Sequence, residues 1–321
     1  MKKVRSIFLL LSLPVLLIVS GCAPSSYVIS DPKPSHFAYE NAKQAAPTRI
    51  LLTDERADKV FSGGTLKADL KKGKTPVDPV AFLKENTEKE LAARGVSVSF
   101  DGQPGGNSIM ISRLKMLNHR SNAYSPFITF TSLEGTLSTP ARSQRIAVYV
   151  KRGKVPVWGF QELVEPTLNE PLDLLVKEFA TKISNALYNL KASDSYVDEL
   201  ITKTSGSMTG KSYLDVYQLG FSNNQKAVPH LVKLVKHSDE YVRLAAISSL
   251  GNLKAESQLD FLKSLSHNAE SWSERGMALK AIGDIGTADA LAFLKQESER
   301  LKAKSDKEES WSQDIINLYL D

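Results

Sequence analysis

The segment "LAAISSLG" at residues 244–251 is one of three similar segments in the C-terminal part of the chain. The other two are "YLDVYQLG" at 213–220 and "GMALKAIG" at 276–283, and the three final glycines lie 31 and 32 residues apart. A second series of apolar segments has the same spacing: "AVPHLVKL", "QLDFLKSL" and "DALAFLKQ". This period predicts helix pairs stacked into an α-solenoid, because one pair cannot bury its apolar face alone.

The stretch "DEYVRLAAISSLGNL" at residues 239–253 resembles HEAT-type repeats, including the subclass first noted in phycobilin lyases. The resemblance covers about residues 212–321 and is strongest over 227–296, so that capping helices are expected at both ends. It implies a repeat surface that binds proteins, and it does not imply pigment chemistry.

Four side chains in the repeats are candidates for contact with a partner protein. Arg243 and Arg275 occupy equivalent places in successive repeats and could form a basic ladder. The alternative is that they hydrogen-bond between successive repeats or pair along one helix. Trp272 and Trp311 are candidate interface anchors, because tryptophan is enriched at binding hot spots. The alternative for both tryptophans is packing beneath a loop.

The N-terminus has the pattern of an export signal. A basic stretch at residues 2–5 precedes a nearly continuous apolar run at 7–19, which is too short to cross a bilayer core that needs ~20 helical residues. Small residues follow at 19–21, and the next residue is Cys22, the only cysteine in the chain. This order predicts a signal peptide over residues 1–21.

The sequence around Cys22 resembles the lipobox of bacterial lipoproteins. That resemblance implies that Cys22 is acylated and becomes the first residue of the mature chain. Ala23 stands where the family places Asp to retain a protein in the inner membrane, so the resemblance implies a lipid-anchored position at the outer membrane, facing the periplasm. The alternative is an ordinary signal peptide followed by an incidental free cysteine.

The middle of the chain alternates between strand and helix patterns. Asp78 and Pro79 start a helix that stops at Gly95. A second amphipathic helix is predicted at residues 168–190, and a hairpin around Arg152-Gly153-Lys154 within 145–165. Further strands are predicted at 48–54, 96–100, 108–117 and 127–139.

These elements predict an α+β domain at residues 48–192, with a mainly antiparallel sheet covered by two helices, followed by an all-α HEAT-like solenoid at 212–321. Residues 22–47 contain four prolines and are predicted to be a flexible tether. Residues 193–211 are predicted to be a linker that contains a possible helix around 196–201.

The α+β region resembles the YajG-like family of Gram-negative envelope lipoproteins. The resembling residues are the lipobox, "LLTDERADK" at 51–59 and "PVAFLKENTEKELAARGVSVSF" at 79–100. The family implies an envelope location and supplies no catalytic residues.

The composition and motifs give little support to catalysis or to nucleic-acid binding. Three of the five net positive charges lie on the signal and would leave with it, which leaves +2, too little for a polyanion partner. The stretch "GSMTGKS" at 206–212 has three residues between its glycines, whereas a phosphate-binding loop needs four. Asp54, Glu55 and Arg56 are predicted to form a salt-bridged turn. The histidines form no ligand cluster: His36, His119, His230, His237 and His267.

The sequence therefore favours a non-enzymatic adaptor or scaffold without a cofactor or metal. The expected partners are the membrane, through lipid on Cys22, and other envelope proteins, with no nucleic acid and no small-molecule substrate. Two alternatives stay open: an auxiliary subunit of an envelope transport or outer-membrane assembly machine, and a hydrolase or nucleotide enzyme that depends on Lys211.

Replacing Cys22 with alanine is expected to leave the protein unprocessed or soluble, because the acyl chains would have no attachment atom. Membrane fractionation and mass spectrometry of the N-terminus measure this. An unchanged membrane fraction would contradict acylation at Cys22.

Overall fold

The computed structural model describes residues 26–65, 69–122, 125–154, 161–208, 210–302 and 306–320. The predicted signal peptide and Cys22 lie outside these ranges. Strands occupy the first half of the described chain: β1 (Ser26–Val28), β2 (Thr48–Asp54), β3 (Ser62–Gly64), β4 (Asp69–Lys72), β5 (Thr75–Pro76), β6 (Val98–Ser99), β7 (Asn107–His119), β8 (Phe127–Ser138) and β9 (Ser143–Lys154).

Helices accompany the sheet and then form the C-terminal half: α1 (Pro79–Ala93), α2 (Gln161–Leu163), α3 (Glu170–Tyr188), α4 (Asp194–Ser205), α5 (Tyr213–Phe221), α6 (Val228–Leu234), α7 (Glu240–Asn252), α8 (Leu259–Asn268), α9 (Trp272–Ile285), α10 (Ala288–Lys302) and α11 (Lys307–Ile316). The predicted fold class, an α+β region followed by a helical solenoid, is confirmed.

The main sheet has the strand order β6-β2-β7-β8-β9, and β3 pairs with the C-terminal half of β7. Strands β7, β8 and β9 are antiparallel, as their alternating sequences predict, whereas β2 pairs in parallel with both β6 and β7. Helices α1 and α3 pack on each other, and α3 packs on β8 and β9.

The start of α1 follows the predicted capping. The Asp78 carboxylate accepts hydrogen bonds from the backbone N–H groups of Val80 and Ala81 at 2.9 and 3.0 Å, and Pro79 occupies the first turn. After the helix the chain turns at Gly95, whose φ of +84° favours glycine.

The predicted hairpin around Arg152-Gly153-Lys154 is wrong. Strand β9 runs through these residues, which lie opposite residues 127–129 of β8. The chain reverses earlier, at residues 139–142, so Gly153 is a strand glycine and not a turn residue. After the strand, α2 leads through a π-helical segment (Val164–Asn169) into α3.

The prediction of a flexible tether is wrong for residues 26–47. Strand β1 pairs in parallel with β4, and Ile29, Phe37 and Tyr39 are buried in the core. The backbone of Glu40 donates a hydrogen bond to the carbonyl of Lys191 at 2.8 Å. The prolines keep this segment extended, but its apolar side chains bind it to the domain.

The solenoid consists of helix pairs α4/α5, α6/α7, α8/α9 and α10/α11 in the described part of the chain. The possible helix around 196–201 is part of α4, which buries Val197 and Leu200 and packs on α5, so the predicted linker is wrong over the length of α4. We call α5, α7, α9 and α11 the inner row, because each contacts the next, and α4, α6, α8 and α10 the outer row.

The three periodic glycines lie inside inner-row helices, where they permit close approach of the neighbouring helix. A Cβ atom on Gly220 would lie 2.6 Å from Ser249 Oγ, and one on Gly251 would lie 2.6 Å from Ala281 Cα. Gly283 packs in the same way against the ring of Tyr319. The period in the sequence is therefore a packing requirement of the inner row.

Replacing Gly251 with alanine is expected to destabilise the protein by about 1–3 kcal/mol, because the added methyl group meets backbone and not a flexible side chain. Urea denaturation followed by circular dichroism measures this. Gly206→Ala is the matched control, since a Cβ there meets no atom within 4 Å. Equal unfolding midpoints for the two variants would contradict the packing role.

Candidate functional site

The inner row packs against the chain's own N-terminal domain. Strand β9 is the last strand of the sheet order, so its outer edge has no strand partner among the described residues. The carbonyl of Gly153 on this edge accepts a hydrogen bond from the Tyr241 hydroxyl at 2.6 Å, and that of Ala147 accepts one from Lys182 Nζ. Helix α9 contacts β9 directly. The solenoid and α3 thus cover an edge that would otherwise be open to other strands.

Arg152 lies at the centre of one buried contact between the domains. Its guanidinium carbon is 4.4 Å from the ring centroid of Tyr213 and 4.1 Å from that of Tyr241. The same guanidinium forms an ion pair with Glu170 at 2.5 Å and donates a hydrogen bond to the Tyr213 hydroxyl at 2.6 Å. Burial raises the pKa of Glu170 even though Arg152 opposes this. The contact joins α5 and α7 to β9 and α3.

Four charges, three of them with buried side chains and Lys182 partly exposed, form a second contact, between α3 and α9. We call Glu178, Lys182, Lys280 and Asp284 the four-charge cluster. Lys280 Nζ lies 2.8 Å from Glu178 and 2.7 Å from Asp284, and Lys182 Nζ lies 2.8 and 2.6 Å from the same two carboxylates. Lys280 is fully buried, and its ammonium also donates to Ser248 Oγ at 2.9 Å. Each charge is thus compensated by opposite charges within the cluster.

The cluster shifts the pKa values of Asp284 and Lys280. Burial opposes ionisation of Asp284, but Lys182 and Lys280 outweigh it and hold the pKa of that carboxyl below its ordinary value. Burial likewise disfavours the Lys280 ammonium, and Asp284 and Glu178 outweigh it, so the pKa of Lys280 is raised. Both groups stay charged at neutral pH.

Arg94 forms a third buried group at the end of α1. Its guanidinium binds Glu90, the Tyr39 hydroxyl and Thr181 Oγ1, all within 2.7 Å. The Tyr39 hydroxyl lies 3.1 Å from the carbonyl of Phe221 in α5. This arginine therefore links the N-terminal segment, both sheet helices and the solenoid.

The two predicted anchor tryptophans lie where the solenoid meets the sheet. The ring of Phe130 on β8 is 5.7 Å from that of Trp272 and 4.9 Å from that of Trp311, and the two tryptophans are 4.9 Å apart. Trp272 is only 9% exposed. The structure thus brings both tryptophans to an interface inside the chain, and their contact with a partner stays a prediction.

Arg243 and Arg275 make equivalent bonds in successive repeats. Arg243 donates to the carbonyls of the turn before its own helix and pairs with Glu274 of the next repeat at 2.9 Å. Arg275 repeats this pattern and pairs with Glu308 at 3.1 Å. These are the inter-repeat bonds of the alternative interpretation, and binding of a partner by either arginine stays a prediction.

The other candidate groups are accounted for by local contacts. Arg56 donates two hydrogen bonds to the Asp54 carboxylate and holds the pKa of that group far below its ordinary value, which fits the predicted salt-bridged turn. Lys211 pairs with Glu165 at 2.8 Å and follows a helix, not the strand that a phosphate-binding loop requires. Within the described ranges, no group of three or more His, Cys, Asp or Glu side chains is placed to hold a metal ion.

A cleft of about 890 Å³ stays open between the two domains. Its lining comes from the N-terminal end of β9, from the C-terminal half of α3, and from the ends of the inner helices α7 and α9. A smaller cavity of about 410 Å³ lies between α8, α9 and α11, with Trp272 and Arg275 in its wall. The larger cleft is lined by both domains.

The charged residues that join the domains were not among the predicted site residues. Lys280 stands inside the apolar segment "GMALKAIG", and a charge within such a segment indicates a buried partner. Nothing comparable marks Arg152 or Glu178, because each lies in an ordinary amphipathic pattern. Their pairing depends on how the domains pack.

Comparison with known proteins supports the repeat region. Residues 216–275 match the family of HEAT repeats. No curated protein matches the chain. A solved structure of a minor lipoprotein from Acinetobacter baumannii is similar at 10% identity with a TM-score of 0.29, over 46% of this chain and 96% of that one. An uncharacterized protein is similar at 11% identity with a TM-score of 0.27, over 51% and 96%. Likeness at this level carries no argument about function.

In the part of the chain that the structure describes, no helix has both the length and the apolar character that a membrane crossing requires.

Replacing Lys280 with alanine is expected to destabilise the protein by about 3–5 kcal/mol, because two buried carboxylates would then share one ammonium. Thermal and urea denaturation measure this. Lys302→Ala removes a surface ion pair with Glu299 and is expected to change stability by less than about 1 kcal/mol. Equal losses in the two variants would contradict the role of the four-charge cluster.

Proposed function

We propose that this chain is a lipid-anchored, non-enzymatic envelope protein that acts as an adaptor or scaffold through its HEAT-type repeats. The observation that carries the proposal is the match of the repeat region to HEAT repeats, together with the docking of the inner row on the N-terminal domain. Helix repeats of this kind build extended surfaces for other proteins. The buried charges described above have structural partners, which fits a scaffold.

The N-terminal domain is proposed to be YajG-like, and the chain is proposed to divide into a signal peptide, this domain and the solenoid. The order of a first strand, an Asp-Glu-Arg corner, a helix and a glycine turn agrees with that family resemblance. The location proposed for the anchor is the outer membrane, facing the periplasm.

The distance between anchor and domain is short under this proposal. Only residues 23–25 separate Cys22 from β1, and four residue steps span at most about 14 Å when fully extended. Lipid on Cys22 would therefore hold the folded domain close to the membrane surface. Any partner would therefore have to meet the protein close to the membrane surface.

This closeness also favours a second candidate function, an auxiliary subunit of an envelope transport or outer-membrane assembly machine. A subunit of such a machine needs a fixed position against the membrane, which the short connection would supply. Loss of the gene with an intact permeability barrier and unchanged surface glycolipid would argue against this candidate.

Crosslinking in the intact envelope, followed by purification of the full-length chain and mass spectrometry, tests the adaptor proposal. At least one reproducible partner is expected, and its recovery is expected to fall in the Cys22→Ala variant, which lacks the anchor. Whole-domain deletions are unsuitable because the two halves share one hydrophobic core. Failure to recover any reproducible partner would overturn the proposal.

A further inference from the structure

The inter-domain cleft is bordered by successive helix ends that share one backbone conformation. The residues that follow α3, α5, α7 and α9 in this border have left-handed φ values near +50 to +66°: Asn189, Asn223, Lys254 and Gly286. The last three are equivalent positions of the repeat, 31 and 32 residues apart. Glycine and asparagine tolerate this conformation, whereas lysine is costly there. Lys254 is nevertheless placed at the cleft by this strained turn.

Asn252 supplies a buried hydrogen-bond donor in the cleft wall. Its side chain is 4% exposed, and its Oδ1 accepts a hydrogen bond from Lys280 Nζ at 3.2 Å. An ammonium group can only donate, so the atom that Lys280 contacts must be the amide oxygen of Asn252. The amide nitrogen, Nδ2, is then the end of the side chain that does not contact Lys280. Nδ2 has no partner among the described residues. An unpaired buried donor is costly, and Asn252 is one of the residues that line the cleft.

The charge of the cleft is positive. Five basic side chains line it against one acid: Arg142, Arg145, Lys182, Lys191 and Lys254, with Asp284. Asp284 is already bound by Lys182 and Lys280, and Arg145 pairs with Glu134. Arg142 and Lys254 have no ion-pair partner in the described chain, and Lys191 has only Asp194 at 3.8 Å.

Amide side chains stand between these cations. Gln144, Asn185, Asn189 and Asn223 line the cleft together with Asn252. An amide has both a donor and an acceptor and so matches the N–H and C=O groups of an extended peptide. Among the described residues that line the cleft, the only aromatic side chain is Tyr319, which is 9% exposed, so these residues offer little of the stacking surface that bases require.

We propose that this cleft binds an extended acidic peptide segment of a partner protein. The amides would bond its main chain, Asn252 Nδ2 would donate to a carbonyl or carboxylate oxygen, and Arg142, Lys191 and Lys254 would face its acidic side chains. This proposal rests on the proposed adaptor function and names its docking site. Because the N-terminal domain covers much of the inner row, this cleft is the place where the ends of α7 and α9 border both an open space and the N-terminal domain.

Fluorescence anisotropy with the detergent-solubilised full-length protein tests the proposal. The probe is a labelled octapeptide of alternating glutamate and alanine, and the control probe has lysine in place of glutamate. Saturable binding of the acidic probe alone is expected. Lys254→Glu is expected to weaken it by about tenfold, since it reverses a charge at the contact. Lys236→Glu makes the same change on an exposed residue outside the cleft and is expected to leave binding unchanged.

Two further variants separate binding from folding. Lys254→Gly removes the cation but relieves the left-handed conformation, so the melting temperature is expected to stay equal or rise while affinity falls. Asn252→Asp keeps the acceptor for Lys280 and replaces the buried donor, so affinity is expected to fall with the fold retained.

The acidic probe failing to bind, or binding equally well to Lys254→Glu, would overturn the proposal. Equal weakening by Lys236→Glu would also overturn it, because the effect would then be general charge. Displacement of the probe by glutarate at the same concentration as by the unlabelled peptide would instead assign the cleft to small dicarboxylates and overturn the peptide proposal. A partner that crosslinks equally well to the wild-type protein and to Lys254→Glu would retain the adaptor proposal and reject the cleft as its docking site. Peptide binding in the anisotropy assay, with no envelope partner recovered by crosslinking, would retain the cleft proposal and reject the adaptor proposal.

Discussion

The clustered charges of Glu178, Lys182, Lys280 and Asp284 constrain the whole structure. Removing such groups from water is costly, and the cost is offset only while all four stay together. Two of them belong to α3 of the sheet domain and two to α9 of the solenoid. Separating the domains would break the two pairs between the helices, Lys182–Asp284 and Lys280–Glu178, and leave only the pair within each helix, so the four-way compensation exists only in the docked arrangement. The Arg152 contact and the Phe130 aromatic contact also stabilise the docked arrangement of the two domains.

This docking reduces the surface of the solenoid that is accessible to a partner protein. Repeat proteins commonly bind through the surface that their helices jointly form. Here the inner row packs on the chain's own sheet and on α3, which completes the edge of β9. The inner-row face of the solenoid is therefore already largely covered by the chain's own N-terminal domain. What stays open is the outer row and the cleft where the inner helices end, and the cleft concentrates basic and amide groups around one buried donor.

The N-terminal segment contributes to the same arrangement. Phe37 and Tyr39 lie beside the Arg94 guanidinium, at 5.3 and 5.6 Å from ring centroid to guanidinium carbon. Arg94 also reaches α3 and Phe221 of the solenoid. A segment close to the proposed lipid site is thus packed into the body of the protein. From residue 26 onward, the path of this segment relative to the solenoid is set by folded structure.

The sequence by itself determined the local elements and their class. Alternation defined β7 and β8, capping at Asp78 and Gly95 defined α1, and the spacing of Gly220, Gly251 and Gly283 defined the solenoid, because each of these depends on residues near one another in the chain. The tertiary structure alone decided which groups meet. Residues 26–47 contain prolines, so their composition suggested a tether, yet their aromatic side chains found an apolar surface made by distant helices. The contacts of Arg152 and Glu178 and the cleft around Asn252 likewise depend on domain docking. Charge pairs and cavities of this kind form between segments that lie tens to more than a hundred residues apart in the chain. A local sequence pattern cannot predict which of those segments will meet.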